Sequence, residues 1–129
     1  MNQWLAVAAV ATGGALGSVL RFAVGTWFLQ RSGPGFPWGT FTINVSGALL
    51  IGIVMQLAQA RIGLGPYARL FLATGILGGY TTFSAFAYET YLLSRDGFSA
   101  QSLWYGFGSV IAGVAAAFLG IVFARAVFP

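Results

Sequence analysis

The 129-residue chain has no cysteine and no histidine, and its six basic residues are all arginine. Without cysteine there are no disulfides and no thiolate chemistry; without histidine the commonest metal ligand and the usual proton shuttle are missing. Glu89 and Asp96 are the only acidic side chains. Paired carboxylates for acid–base work and a cluster to hold a catalytic metal therefore have no residues to build them, nor has a nucleophile a histidine or lysine base to activate it. The composition argues against an enzyme.

What is present is apolar: 58% of the residues are hydrophobic and 6% charged, with a mean hydropathy of +0.85. That places the chain among integral membrane proteins. A helix needs about 20 apolar residues to cross roughly 30 Å of hydrocarbon, so four spans use about 80 residues and leave only short connections. One four-helix transmembrane domain over residues 1–129 is expected, with no extramembrane domain. The first apolar stretch, Trp4 to Leu29, is longer than a signal-peptide core and has no basic region before it, so it reads as a retained span. A pI of about 10.1 would suggest nucleic acid in a soluble protein, but six arginines spread singly make no patch.

Span one is read as roughly 4–28, followed by a loop whose Gly33, Pro34, Gly35 and Pro37 suit a turn. Span two covers 39–60 and stops at the Gly63 to Pro66 punctuation; span three covers 67–93; span four covers 101–126. Trp4, Trp27, Trp38 and Trp104 fall near span ends, where indoles sit among headgroups. Loops on the side of the termini hold Arg61, Arg69 and Arg125, and opposite loops hold Arg31 and Arg95. So small a bias does not select one orientation, and insertion both ways round is expected unless the first span or the assembled protein settles it.

Small and polar residues mark faces. Gly13, Gly17, Arg21 and Gly25 recur every four residues in span one, as do Ser109, Gly113 and Ala117 in span four, which suits close backbone approach. Thr40, Asn44, Ala48, Gly52 and Gln56 form a polar and small stripe on span two, either lining a pore or gluing helices by hydrogen bonds. The run from Thr74 to Phe86 puts glycines and hydroxyls inside a segment otherwise greasy enough to span, so a break in span three is expected there. A break survives in lipid only if it is buried in protein or lines a polar site. The intramembrane polar groups are amides, hydroxyls and Arg21, which are donors, and donors favour anions. Phe83 and Phe86 lie on one face just after the expected break, and ring edges are electropositive enough to meet an anion without holding it. Packing alone is the bland account of both rings.

Four local patterns read together resemble the Fluc/CrcB fluoride channels over essentially the whole chain: residues 13–22 (GGALGSVLRF), 39–44 (GTFTIN), 78–84 (GGYTTFS), and a fourth span with Tyr105 and Ser109. Ala85 stands where relatives often carry a hydroxyl. The resemblance implies an antiparallel homodimer from dual-topology insertion, two separate fluoride pores and a structural sodium ion at the dimer centre. It implies Phe83 and Phe86 as pore rings, Asn44 as the pore amide with Thr40 beside it, and Tyr105 and Ser109 as a polar track. Arg21, Glu89, Thr82 and Ser84 become vestibule or supporting residues, and the main-chain carbonyls of Gly78 and Thr81 become sodium ligands. The residues themselves leave Glu89 open: it could pair with an arginine, bond a pore group or sit at the interface.

The implied function is passive, fluoride-selective efflux from the cytoplasm across a bacterial inner membrane, which lowers fluoride toxicity. The expected partners are fluoride, a second copy of the chain and membrane lipid, with no nucleic acid. The rival is a small multidrug-type proton-coupled exporter, which needs a membrane-embedded carboxylate where span one here offers Arg21. A non-transporting membrane scaffold is the third class.

Overall fold

The computed structural model describes residues 1–60 and 63–128. Arg61, counted above with the terminal-side arginines, lies outside the described residues. The fold is all-helical, and four helical segments are long and apolar enough to cross a membrane: Gln3–Ser32, Trp38–Gln59, Pro66–Arg95 and Ser99–Val127. The first two are α1 and α2. The third begins as α3, a stretch made of Pro66–Arg69, a π-helical run Leu70–Leu77 and a final turn Gly78–Tyr80. It continues as α4, Phe83–Arg95, and the fourth is α5, Ser99–Val127.

Local chemistry sets the ends. Asn2 caps α1, its side-chain oxygen accepting from the Trp4 N–H at 2.9 Å. Gly33 then takes φ +71°, where a glycine closes the helix cheaply, and donates to the Leu29 carbonyl at 3.0 Å. Pro37 precedes α2, and Pro66 occupies the first turn of α3, where its missing N–H is no loss. Backbone order places Arg31 and the Arg95–Asp96 ion pair at one end of the bundle. At the other end, Arg125 donates to Gln56 and the Asn2 N–H to the Tyr67 hydroxyl.

Glycines govern the packing between helices. α1 lies on α3, with Gly13 against the Phe71 carbonyl and Gly75, and Gly17 against the backbone of Ile76 and Tyr80. α2 pairs most extensively with α5. There Gly52 meets the Ala117 carbonyl and Gly120 meets the Leu49 carbonyl, a reciprocal approach that a side chain on either glycine would block. In α5 the expected packing glycine, Gly113, has no atom within 4 Å of where its Cβ would sit. The close approach falls at Gly120 instead, because the buried face of α5 runs through Tyr105, Ser109, Ala116, Gly120 and Ala124.

A methyl group at Gly17 would run into the Ile76 carbonyl, whereas one at Gly14 would meet only the Gly75 oxygen at 4.0 Å. Gly17→Ala should therefore destabilise the protein by about 1–3 kcal/mol. Gly14→Ala, three residues away, should be neutral or gain up to about 1 kcal/mol from helix propensity. Thermal unfolding of the two purified variants in detergent checks the contrast.

Candidate functional site

Between α3 and α4, Thr81 (φ −77°, ψ 156°) and Thr82 (φ −149°, ψ 118°) are extended. Backbone groups around two such residues lose their helical partners, which is costly at membrane depth. The structure pairs them locally. The Asn44 Nδ2 donates to the Thr82 carbonyl at 3.0 Å, and the Thr82 N–H donates to Asn44 Oδ1 at 2.8 Å. The Thr81 N–H and hydroxyl both reach the Leu77 carbonyl, at 3.0 and 2.9 Å. Thr82 Oγ1 accepts from the Ala85 N–H at 3.3 Å and so caps α4, with the exposed Ser84 hydroxyl also 3.3 Å away.

This junction borders a cavity of about 240 Å³ lined by Asn44, Thr81, Thr82, Phe83, Phe86 and Ser109. Two polar groups there have capacity left. An amide carries two N–H hydrogens, and Asn44 donates once among the described residues. Ser109 Oγ is buried with no hydrogen-bond partner among the described residues, a state that native interiors rarely leave unexplained. Phe83, 79% exposed in the single chain, and Phe86 stand with ring centroids 5.7 Å apart.

A second polar group lies toward the α1–α2 loop. Glu89 accepts from the Thr40 hydroxyl at 2.8 Å and from the Tyr105 hydroxyl at 2.6 Å, so its partners are hydroxyls on α2 and α5 and, among the described residues, no arginine. Thr40, Glu89 and Arg21 border a larger cavity of about 710 Å³ at the end where Gly33 and Asp96 lie. Of the residues singled out in the sequence, one set thus gathers at the threonine junction and another at the larger cavity, with Tyr105 between them. Gly78 and Ser84 line neither cavity. Sequence reasoning passed over Phe36, a loop residue that packs on Tyr105 at 5.4 Å. Its only signal was a bulky ring between Gly35 and Pro37 in a polar turn.

The family model described as CrcB-like protein, Camphor Resistance (CrcB), matches residues 8–121. The chain belongs to the CrcB family. Among curated relatives, a protein of Rhizobium meliloti (strain 1021) named Fluoride-specific ion channel FluC is 48% identical over 126 residues, covering 98% of each chain. Relatives of the same name from Nitrobacter winogradskyi and Thermus thermophilus are each 49% identical, covering 97% and 86% of this chain and 99% and 87% of their own. Both cavities and every residue named at them lie within the matched CrcB region.

In this CrcB-family chain the Asn44 amide is, among the described residues, the only partner of the Thr82 N–H. Asn44→Ala should strand the Thr82 N–H and C=O together, at a cost of at least about 2 kcal/mol. A lower unfolding midpoint in detergent, with faster hydrogen exchange at the Thr82 amide, is the expected result.

Proposed function

We propose that the chain is a fluoride-selective channel that lets cytoplasmic fluoride leave passively and so lowers its toxicity. The observation that carries this reading is the buried Ser109 hydroxyl, unpartnered among the described residues, on a residue that lines the same small cavity as Asn44, Phe83 and Phe86. Each of these is a weak electropositive partner, and no carboxylate lines that cavity. A conducted anion must be held well enough to leave water and loosely enough to move on, which suits hydroxyl, amide and ring edge better than a buried full charge. The half-buried Arg21 borders the outer cavity, where a cation can attract an anion without trapping it. The names of the curated relatives agree with this reading. Weak-acid entry supplies the need: HF crosses lipid neutral, ionises inside and leaves an anion that lipid retains. On the family resemblance, the proposed membrane is a bacterial inner membrane.

Asn44, Thr40, Phe83, Phe86, Tyr105 and Ser109 form the proposed pore set, with Arg21, Glu89, Thr82 and Ser84 supporting it. Purified protein in liposomes should release fluoride and retain chloride. Phe83→Ile and Phe86→Ile keep apolar bulk and remove the ring edge, so each should cut flux per folded protein about tenfold or more, one barrier interaction of roughly 1.4 kcal/mol. Wild-type flux with unchanged chloride exclusion in both variants would reduce the rings to packing.

The proposed functional unit is an antiparallel homodimer of oppositely inserted copies, with the break at Thr81 and Thr82 near its centre. Its support is the near-even arginine distribution and large exposed apolar side chains such as Phe107, Phe118 and Leu119. A structural sodium ion fits the backbone at that break. The N–H that would serve the Gly78 carbonyl in a continuing helix belongs to Thr82 and goes to Asn44; the one for Thr81 belongs to Ala85 and goes to Thr82 Oγ1. Two carbonyls thus lose their helical donors at the negative end of a helix, and Gly78 is exposed in the single chain. When bound, the cation would supply positive charge to neutralise these carbonyl dipoles from both copies. Lysines added to one set of loops should force a single orientation and abolish flux, and co-expressing the oppositely biased variant should restore both flux and a sodium-dependent unfolding midpoint. Termini of the unbiased protein labelled from one side only would refute dual insertion.

A further inference from the structure

We infer that Phe36 is a positioning residue that locks Tyr105 onto Glu89 and keeps outer-cavity water away from that bond, an inference that rests on the fluoride-channel reading. Tyr105 is 0% exposed and lies between the two cavities. One neighbour, Phe86, lines the small cavity and is 5.3 Å from the Tyr105 ring. The other, Phe36, lines the large cavity and meets Tyr105 edge-on at 5.4 Å and 82°. The Tyr105 ring is therefore a partition between the cavities, and Phe36 is its cover on the outer side.

The loop that carries Phe36 is held in place. Gly33 turns the chain at φ +71°, Pro34 and Pro37 fix two backbone angles, and the Trp38 N–H closes back on the Phe36 carbonyl at 2.8 Å. The Phe36 ring also packs on Trp38 at 4.6 Å. Edge-to-face contact restricts the plane of the tyrosine ring, because the positive edge of one ring seeks the negative face of the other. That plane directs the Tyr105 hydroxyl to Glu89 Oε2 at 2.6 Å. With Phe36 removed, outer-cavity water competes for the hydroxyl, and a Glu89 oxygen released from Tyr105 presents negative charge to the proposed anion route. Fluoride transit should then slow.

The test is fluoride efflux from liposomes, per folded dimer, for wild type, Phe36→Ala, Phe36→Tyr, Tyr105→Phe and the Phe36→Ala/Tyr105→Phe double variant. Phe36→Ala should lower flux about tenfold, the scale of one weakened charge-assisted hydrogen bond, while Phe36→Tyr keeps the ring and retains flux. Because Phe36 acts through the Tyr105 hydroxyl, Phe36→Ala should cost nothing further once that hydroxyl is absent. A general disturbance of the loop would instead cost the same factor in both backgrounds and would overturn the inference, as would wild-type flux in Phe36→Ala. Should Phe36→Ala fail to fold, Phe36→Leu, which keeps bulk without the ring edge, carries the same expectations. A silent wild-type protein refutes the channel reading and this inference with it, whereas an active wild type with an indifferent Phe36 refutes only the inference.

Discussion

Hydrocarbon offers no partner to a peptide N–H or C=O, and in this chain that constraint is sharpest at Thr81 and Thr82, where two extended residues interrupt a membrane-length helical segment. Much of the surrounding structure follows from meeting it. The Asn44 side chain imitates a neighbouring strand, accepting from the Thr82 N–H and donating to the Thr82 carbonyl, and so pins α2 to the third span. Close packing at the interruption then requires small residues: a Cβ on Gly47 would strike the Thr81 methyl, and one on Gly79 would strike the Gly14 carbonyl. Gly17 and the Tyr80 backbone make the same kind of contact one turn away. The π-helical run Leu70–Leu77 lies just before the junction, its wider turns packed against the glycine face of α1. A serine takes part as well, with the Ser46 hydroxyl 3.0 Å from the Tyr80 hydroxyl.

Hydropathy and punctuation made the spans legible. Expected limits of 4–28, 39–60, 67–93 and 101–126 compare with Gln3–Ser32, Trp38–Gln59, Pro66–Arg95 and Ser99–Val127, and the largest difference, at the end of α1, arises because the helix runs on through polar residues to its Gly33 cap. The polar stripe on α2 was legible as a face and illegible as a set of partners. Thr40 meets a carboxylate, Asn44 a backbone, Gly52 a carbonyl of α5 and Gln56 an arginine, and all four partners lie distant in sequence. The glycines of residues 74–86 drew attention to this stretch, yet the residues with extended backbone angles are Thr81 and Thr82, and Thr82 is the one that pairs with Asn44. The π-helical register carried no signal, since Leu70–Leu77 is apolar but for Thr74, and one polar residue reveals no period. Phe36 escaped notice for a related reason: an aromatic ring in a loop announces itself only through what it covers.

In the proposed channel Glu89 is the residue that a donor-lined anion route would tolerate least, and its surroundings offer a way for a carboxyl to sit beside one. Three spans meet at it, Thr40 from α2 and Tyr105 from α5 each donating a hydroxyl to one of its two oxygens. Those bonds tie the acid to hydroxyls that would otherwise be free to serve an anion, so in the proposed channel the acid and the route would compete for donors. Position would resolve that competition: Ser109 and Asn44 line the smaller cavity, where among the described residues the Ser109 hydroxyl has no partner and Asn44 donates once, while Arg21 shares the larger cavity with Glu89. Tyr105, with no exposed surface, separates the two settings. The carboxyl thus joins α2, α4 and α5 at one point, and the donors left over are those that no acid shares.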